Sequence, residues 1–273
     1  MPTLGEALTA ARRVIDALDA RVLLSHVLQK DAAYLVAHAD MRLAPDAAAQ
    51  FEAAVRRRSA GEPVAYITGR REFFGLEFRV TPTVLIPRPE TELLVELALA
   101  GIPAEVERTV LDLGTGSGCV AISIAHARPH ARVVAVDRSP DALAVAAENA
   151  RSLHAGRVNL LQGDWFEPLV GKRFDVIVAN PPYVADTDPH LFEGDLRYEP
   201  RTALVGGEDG LCPIRRIVGS ADQHLTEGGM LLFEHGFDQG EACRALLTAS
   251  GFEQVETWRD LAGHERVSGG FKP

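Results

Sequence analysis

The chain contains a four-residue motif, Asn180-Pro181-Pro182-Tyr183, whose residue types suit the binding of a planar NH2 group. The motif directly follows the apolar run 174–179, which predicts a buried strand that ends at an open crevice. The Asn180 side chain offers a carbonyl acceptor and an amide donor, the prolines restrict the backbone, and Tyr183 adds a flat aromatic face. We therefore interpret these four residues as a rigid clamp for an amide or amino group and as the candidate catalytic residues.

A glycine-rich turn follows a second apolar run, 109–113, and precedes a predicted helix. The turn reads Gly114-Thr115-Gly116-Ser117-Gly118, so its backbone can approach a ligand closely. It is not a dinucleotide fingerprint, because Cys119 takes the place of a glycine, and it lacks the lysine of a P-loop. Helix N-termini also accept carboxylates, and Asp112 can meet an ammonium group. An amino-acid-like zwitterion therefore suits the turn better than a diphosphate.

Two further predicted strands end in residues that could bind a nucleoside. Asp137 ends the next strand, where a carboxylate can accept hydrogen bonds from both hydroxyls of a ribose, although it could instead cap the following helix. Asp164 follows the third strand and can accept from an adenine amino group, while Trp165 supplies an apolar wall or simply packs in the core. With the glycine turn and Asn180, these strand ends predict a site for adenosine joined to methionine.

The order of the predicted elements beyond residue 108 indicates an α/β fold. Apolar runs predict strands at 109–113, 131–136, 158–161, 174–178, 230–234 and 252–258, with helices near 118–127, 140–153, 210–224 and 238–250. Strands that alternate with helices form a doubly wound, mostly parallel sheet, whose ligands lie at the carboxyl ends of the strands. All of the motifs above fall at such ends.

The first part of the chain has a different pattern. Residues 1–70 are rich in alanine and leucine at helical spacing, which predicts a small helical domain with a capping box at Thr3 and Glu6. In residues 71–88, apolar and polar residues alternate around Gly75 and prolines follow, so we predict a β-hairpin linker. The larger α/β domain is expected over 89–273.

Composition and charge set limits on the partners. The 273 residues carry 28 Lys and Arg against 38 Asp and Glu, a net charge of -10, so no positive field attracts phosphate backbones and direct nucleic-acid binding is not expected. No segment resembles a membrane span or a signal peptide, so we expect a cytoplasmic protein without membrane contact. The three cysteines and the histidines lack metal-ligand spacing, and we expect no metal.

The four strand-end motifs together resemble the class I methyltransferases that use S-adenosylmethionine. An Asn-Pro-Pro-Tyr motif after the fourth strand narrows this class to enzymes that methylate planar nitrogen, in adenine, cytosine or the glutamine side chain. Four other segments extend the likeness over nearly the whole chain: Pro63 to Gly69, Phe73 to Leu76, Leu85 to Glu92 and Asp260 to Val267. They resemble the protein-(glutamine-N5) methyltransferases that modify peptide chain release factors.

This resemblance implies a fold, a reaction and a set of site residues. The fold would be Rossmann-like, with a mostly parallel seven-stranded sheet, an N-terminal helical substrate-recognition domain and a linking hairpin. The reaction would methylate the glutamine of a Gly-Gly-Gln motif in a release factor, with S-adenosyl-L-methionine as cofactor and S-adenosyl-L-homocysteine as product. Residues 114–118, Asp137, Trp165 and Asn180 would contact the cofactor, and residues 180–183 would hold the glutamine.

Catalysis by such a site depends on alignment of a weakly nucleophilic nitrogen. The Asn180 side-chain oxygen and the Pro181 carbonyl would accept hydrogen bonds from the two N–H groups of the substrate nitrogen, which favours in-line attack on the methyl group. The proton would leave later to water. No general base is required, so we predict that His235, which stands where an aliphatic residue is expected, has a structural role.

Three alternatives remain at this point. A glutamine methyltransferase for a ribosomal protein would share the same core and differ mainly in the N-terminal helices. An adenine-N6 methyltransferase for nucleic acid would use the same clamp, and a noncatalytic binding module would keep the fold. Arg88, Glu90 and Thr91 either line the cofactor pocket or the domain junction, or simply begin a helix.

Overall fold

The computed structural model describes residues 1–273, which form two compact units. The first unit contains Met1–Arg70 together with Phe192–Tyr198, and the second contains Arg71–Leu191 together with Glu199–Pro273. The segment 192–198 therefore leaves the second unit and returns to it. Nothing in the sequence pattern had predicted this excursion, because the segment has no periodicity of its own.

The first unit is built from helices around a small apolar core. Its helices are α1 (Leu4–Ala11), α2 (Ala17–Leu28), α3 (Ala32–Ala37), α4 (Pro45–Ser59) and α5 (Val64–Thr68). The predicted capping box is present: the Glu6 amide donates to Thr3 Oγ1 at 3.2 Å, and the Thr3 amide donates to Glu6 Oε2 at 2.8 Å. These two bonds satisfy backbone donors that the first turn of α1 leaves unpaired.

A hairpin and a short helix precede the large sheet. Strands β1 (Arg70–Phe73) and β2 (Leu76–Arg79) pair with each other, and the turn between them places Phe74 and Gly75 in the left-handed region, at φ 52° and 74°. A 3-10 turn over Pro89–Thr91 then leads into α6 (Glu92–Gly101). The sequence pattern had predicted the hairpin, and a helix start after Thr91 was one of the two interpretations of that segment.

The second unit contains the predicted seven-stranded, mostly parallel sheet. Its strands are β3 (Thr109–Leu113), β4 (Arg132–Asp137), β5 (Asn159–Gln162), β6 (Phe174–Ala179), β7 (Leu225–Glu234), β8 (Glu253–Arg259) and β9 (Glu265–Phe271). Their order is β5-β4-β3-β6-β7-β9-β8, and only the pairs β7–β9 and β9–β8 are antiparallel. This confirms the predicted fold class of the chain.

Strand β9 had not been assigned from the sequence. Gly269 and Gly270 weaken its strand propensity and interrupt the alternation that marks a strand. The structure shows why glycine stands there: a Cβ at Gly269 would lie 2.5 Å from the Leu231 carbonyl oxygen of β7. Glycine at this position therefore allows the close approach of the β9 and β7 backbones.

Helices cover both faces of the sheet. Besides α6, they are α7 (Cys119–Ala127), α8 (Pro140–Ser152), α10 (Cys212–His224) and α11 (Gly240–Ala249), and a short helix, α9, spans Arg201–Leu204. Successive residues of one strand enter different cores: Val110 packs with α6, α7 and α8, whereas Leu111 packs with α10 and α11. Burial on both faces explains why the central strands read as continuous apolar runs. None of the helices has both the length and the apolarity needed to cross a bilayer.

Asn149 of α8 connects the hairpin to the glycine turn. Its Oδ1 accepts from the Arg79 amide at 2.7 Å, and its Nδ2 donates to the carbonyls of Arg79 and Ser117, at 3.0 Å and 2.8 Å. The Asn149 side chain is fully buried, so water cannot replace these bonds.

We expect Asn149→Ala to lower the free energy of unfolding by about 2–4 kcal/mol, because it leaves buried backbone groups without partners. Ser152→Ala on the same helix removes one bond from an exposed hydroxyl and should cost less than about 0.5 kcal/mol. Urea denaturation of both variants measures the difference. Equal stability of the two would show that Asn149 does not hold these segments together.

Candidate active site

A cavity of about 300 Å³ lies at the carboxyl ends of the parallel strands of the second unit. Its wall includes most of the residues predicted from the sequence: Gly114, Thr115, Gly116, Ser117, Asp137, Asp164, Trp165, Asn180 and Pro182. Three predicted residues, Gly118, Pro181 and Tyr183, are not part of the wall. The strand order brings the motifs together, because β3, β4, β5 and β6 are neighbours in the sheet.

The glycine turn owes its shape to its own backbone. Gly114, Gly116 and Gly118 all have positive φ, and the amides of Gly114 and Thr115 both donate to the Val136 carbonyl at 2.9 Å and 3.0 Å. A Cβ at Gly116 would meet nothing within 4 Å, so this residue faces open space. A Cβ at Gly118 would lie 2.8 Å from Ile122, so Gly118 serves the packing of α7.

Asp112 lies buried beneath the turn. The Thr115 hydroxyl donates to Asp112 Oδ2 at 2.6 Å. Burial raises the pKa of the Asp112 carboxyl to about 7, a rise to which the charge of Asp137 adds and which the Thr115 hydroxyl opposes. A cationic group that entered the cavity beside Asp112 would stabilise the ionised carboxylate and lower this pKa.

Asp137 is held by backbone amides. Its Oδ2 accepts from the Gly116 amide and its Oδ1 from the Ser139 amide, both at 2.9 Å. Ser139, not Asp137, caps α8, since its hydroxyl accepts from the Ala142 amide at 3.2 Å. Each carboxylate oxygen of Asp137 keeps a further lone pair, so it can still accept from a ligand hydroxyl.

Asp164 and Trp165 form part of the cavity wall, with Trp165 next to the glycine turn. Trp165 has φ 54°, a left-handed conformation that is unusual for a bulky residue, and its ring would lie 3.4 Å from a Cβ at Gly114. Arg216 of α10 donates to Asp164 Oδ2 at 2.7 Å and also lines the cavity. Arg216 was not predicted as a site residue, because it lies on a helix distant in sequence from the strand-end motifs.

The motif 180–183 is held by side chains of Thr91, Glu234 and Gln239. Asn180 Nδ2 donates to Thr91 Oγ1 at 3.0 Å, and the Tyr183 hydroxyl donates to Glu234 Oε1 at 3.0 Å. Gln239 Nε2 donates to the Tyr183 carbonyl, also at 3.0 Å. Glu234 and Gln239 were missed, although an acid directly after the apolar end of β7 repeats the placement of Asp137 after β4 and could have marked Glu234.

Two other buried polar groups have hydrogen-bond partners within the second unit. Glu199 accepts from the Ile86 amide at 3.0 Å and pairs with Arg88, which lines the cavity together with Thr91. His235 is fully buried, with Nδ1 at 2.8 Å from the Gly236 carbonyl and Nε2 at 2.8 Å from the Ser268 hydroxyl. Burial lowers the pKa of His235, so the imidazole is a neutral structural group whose ring nitrogens are both engaged.

Solved structures share the fold of this chain. A methyltransferase from Pyrococcus furiosus is 20% identical, with a TM-score of 0.56 over 81% of this chain and 97% of that chain. A Thermus thermophilus 16S rRNA methyltransferase, solved with AdoMet and guanosine, is 24% identical, with a TM-score of 0.55 over 75% of this chain and 50% of that chain. The sheet, the turn and the cavity define a class I methyltransferase fold.

Comparison with protein families and with related sequences identifies the family of the chain. Residues 4–69 match the PrmC N-terminal domain, and residues 90–193 match the methyltransferase small domain. The release factor glutamine methyltransferase of Burkholderia pseudomallei is 54% identical over 95% of this chain and 93% of its own length. Those of Xylella fastidiosa and Escherichia coli are 49% and 45% identical, over 100% and 92% of this chain and 99% and 90% of their own lengths. The chain belongs to the release factor glutamine methyltransferase family.

The raised pKa of Asp112 predicts a specific pH dependence of stability. Between about pH 4 and about pH 7 the folded protein holds a proton that the unfolded chain has lost, so the free energy of unfolding falls as pH rises, by at most about 1.4 kcal/mol per pH unit. Asp112→Asn still accepts from Thr115 but cannot ionise, so this contribution to the slope disappears. Urea unfolding across this range compares the two proteins, and parallel pH profiles would contradict the prediction.

Proposed function

We propose that this chain transfers a methyl group from S-adenosyl-L-methionine to the side-chain amide nitrogen N5 of the glutamine in the Gly-Gly-Gln motif of peptide chain release factors. Relatives named release factor glutamine methyltransferase match the chain over nearly its full length. The observation that carries the proposal is the cavity itself, which has the glycine turn and Asn180 at the ends of the adjacent strands β3 and β6.

The residues of the cavity fit the cofactor. Asp137 would accept from the ribose hydroxyls, Trp165 would pack against the adenine ring, and Asp164 would accept from the adenine amino group. Gly116 faces open space, so the backbone can approach the ligand closely there, and Asp112 favours a positive charge nearby. When bound, S-adenosyl-L-methionine supplies a methyl group on a positively charged sulfur.

The acceptor half of the site aligns the glutamine amide. The Asn180 side-chain oxygen and the Pro181 carbonyl would accept from its two N–H bonds, and Pro182 and Tyr183 would complete the clamp. Both contacts draw the nitrogen lone pair away from the amide π system and toward the methyl carbon. With the nitrogen held in line by Asn180 and Pro181, the N–C bond would form as the C–S bond of the cofactor breaks, and the electron pair of that bond would stay on sulfur in S-adenosyl-L-homocysteine. The nitrogen then loses a proton to water.

The two parts of the chain would divide the work. Residues 89–273 would carry the chemistry, and residues 71–88 would link them to the helical unit. We propose that residues 1–70 recognise the release factor. The match of residues 4–69 to an N-terminal domain model of this family supports a dedicated role for that part of the chain.

A direct assay tests the proposed substrate. The purified chain is incubated with methyl-labelled S-adenosyl-L-methionine and, separately, with release factor, ribosomal proteins or DNA, and mass spectrometry locates the label. We expect label on the Gly-Gly-Gln glutamine and none on a release factor whose glutamine is replaced by alanine. Label on DNA or on a ribosomal protein alone would overturn the proposal.

The role of Asn180 gives a second test. Asn180→Ala removes an acceptor that matters most in the transition state, so we expect the rate of transfer to fall by at least about 100-fold. Binding of S-adenosyl-L-homocysteine, measured by calorimetry, should change by less than about tenfold, since Asp137 and Trp165 are intact. Asn159→Ala, an exposed asparagine on β5, is the matched control. Complete loss of cofactor binding in Asn180→Ala would show that Asn180 does not serve mainly the acceptor.

A further inference from the structure

The Asn180 amide has two ends, and only one of them suits the proposed reaction. Its oxygen can accept from a substrate N–H, whereas its NH2 group can only donate and would repel the substrate amide protons. The motif sequence does not choose between the two orientations. Neighbouring side chains must do so, because the two orientations fill the same space.

Glu234 lies beside Asn180 at the end of the adjacent strand. The register of β6 with β7 pairs Ala179 with Phe233, so the next residue of each strand continues side by side. The Glu234 side chain is buried, its Oε1 accepts from the Tyr183 hydroxyl at 3.0 Å, and its Oε2 has no hydrogen-bond partner. A buried carboxylate oxygen without a partner is costly and requires an explanation.

Thr91 lies between these two residues. It is buried, and its Oγ1 accepts from Asn180 Nδ2 at 3.0 Å. Burial raises the pKa of the Glu234 carboxyl, and the hydroxyls of Thr91 and Tyr183 oppose this rise, so the Thr91 hydroxyl lies within reach of Glu234. A threonine hydroxyl has one hydrogen to donate and can accept at the same time. Thr91 can therefore donate to Glu234 while it accepts from Asn180.

We propose that Glu234, acting through the Thr91 hydroxyl, fixes the Asn180 amide with its NH2 group turned inward and its oxygen turned to the cavity. An ionised Glu234 only accepts, so the Thr91 hydroxyl turns its single hydrogen to Glu234 Oε2 and accepts from Asn180. Oε2 thereby gains the partner that it otherwise lacks. The use of the Asn180 oxygen as a substrate acceptor rests on the proposed function, whereas the orientation of the amide does not.

Glu234 and Thr91 are positioning residues in this arrangement. Glu234 holds both ends of the acceptor motif, since it reaches Asn180 through Thr91 and binds the Tyr183 hydroxyl directly. A single carboxylate from β7 thus sets the geometry of a loop that follows β6. Neither residue needs to touch the reacting atoms.

Three substitutions distinguish the effect of hydrogen-bond direction at Thr91 from the effect of side-chain packing. Thr91→Val keeps the shape of Thr91 but removes the hydroxyl, and Thr91→Ser keeps the hydroxyl. Glu234→Gln keeps the acceptor for Tyr183 but adds a donor toward Thr91, so the Thr91 hydroxyl turns to Asn180 and the amide of Asn180 reverses. This variant also removes a buried charge, so we expect its stability to equal or exceed that of the wild type.

Nuclear magnetic resonance can determine the orientation of the Asn180 side-chain amide in the absence of substrate. The chain has only three asparagines, so selective 15N-asparagine labelling gives three side-chain NH2 groups, from Asn149, Asn159 and Asn180. The Asn149 side chain is buried and hydrogen-bonded, so its NH2 group is the reference for slow hydrogen exchange. Asn159 is exposed, so its NH2 group is the reference for fast exchange. We expect the Asn180 NH2 group to exchange slowly in the wild type and Thr91→Ser, but as fast as Asn159 in Thr91→Val and Glu234→Gln. Fast exchange in the wild type, or slow exchange in Glu234→Gln, would overturn the proposal.

Kinetics test the consequence for transfer. We expect kcat/KM for the release factor to fall by about tenfold or more in Thr91→Val and Glu234→Gln and to recover largely in Thr91→Ser, while the affinity for S-adenosyl-L-homocysteine changes by less than about threefold. Wild-type kcat/KM in Glu234→Gln would refute the positioning role. If the wild type itself does not methylate release factor, the proposed function fails, and the exchange measurement still decides the orientation of Asn180.

Discussion

Leu113 of β3 pairs with Ala179 of β6, and this parallel contact sets the position of everything in the site. The residues that follow are Gly114 and Asn180, so the two halves of the site leave the sheet side by side. From β3 the chain continues to β4 on one side, and from β6 it continues to β7 on the other, which keeps the crevice between them open. A register shift of one residue would exchange the two buried faces of a strand and misplace both loops.

Acidic side chains stand at the ends of several parallel strands, and each is satisfied differently. Asp137 accepts from two backbone amides, Asp164 pairs with Arg216, and Glu234 binds the Tyr183 hydroxyl. Asp112 accepts from the Thr115 hydroxyl and from the Ala121 backbone, and burial still raises its pKa. The cavity therefore favours a cationic ligand at its floor, while the carboxylate on the acceptor side is used to orient hydroxyl and amide groups.

Much of this architecture could be predicted from the sequence, because buried parallel strands are apolar and their ends are polar. The elements that escaped prediction lack this pattern. Strand β9 contains Gly269 and Gly270, which pack through the backbone and leave no apolar alternation. The segment 192–198 belongs to the first unit only through tertiary contacts, such as that of Arg197 with the Ala60 carbonyl.

The sequence by itself determined which chemical groups stand at the strand ends, since local apolar runs and glycine turns specify where strands stop. Only the tertiary structure decided which groups meet. Asn180 bonds Thr91, Tyr183 bonds Glu234 and Arg216 bonds Asp164 across 89, 51 and 52 residues of chain. These pairs depend on strand order and register, which bring residues distant in sequence within hydrogen-bond reach and which no local pattern encodes. The orientation of the Asn180 amide follows from such contacts and not from its motif.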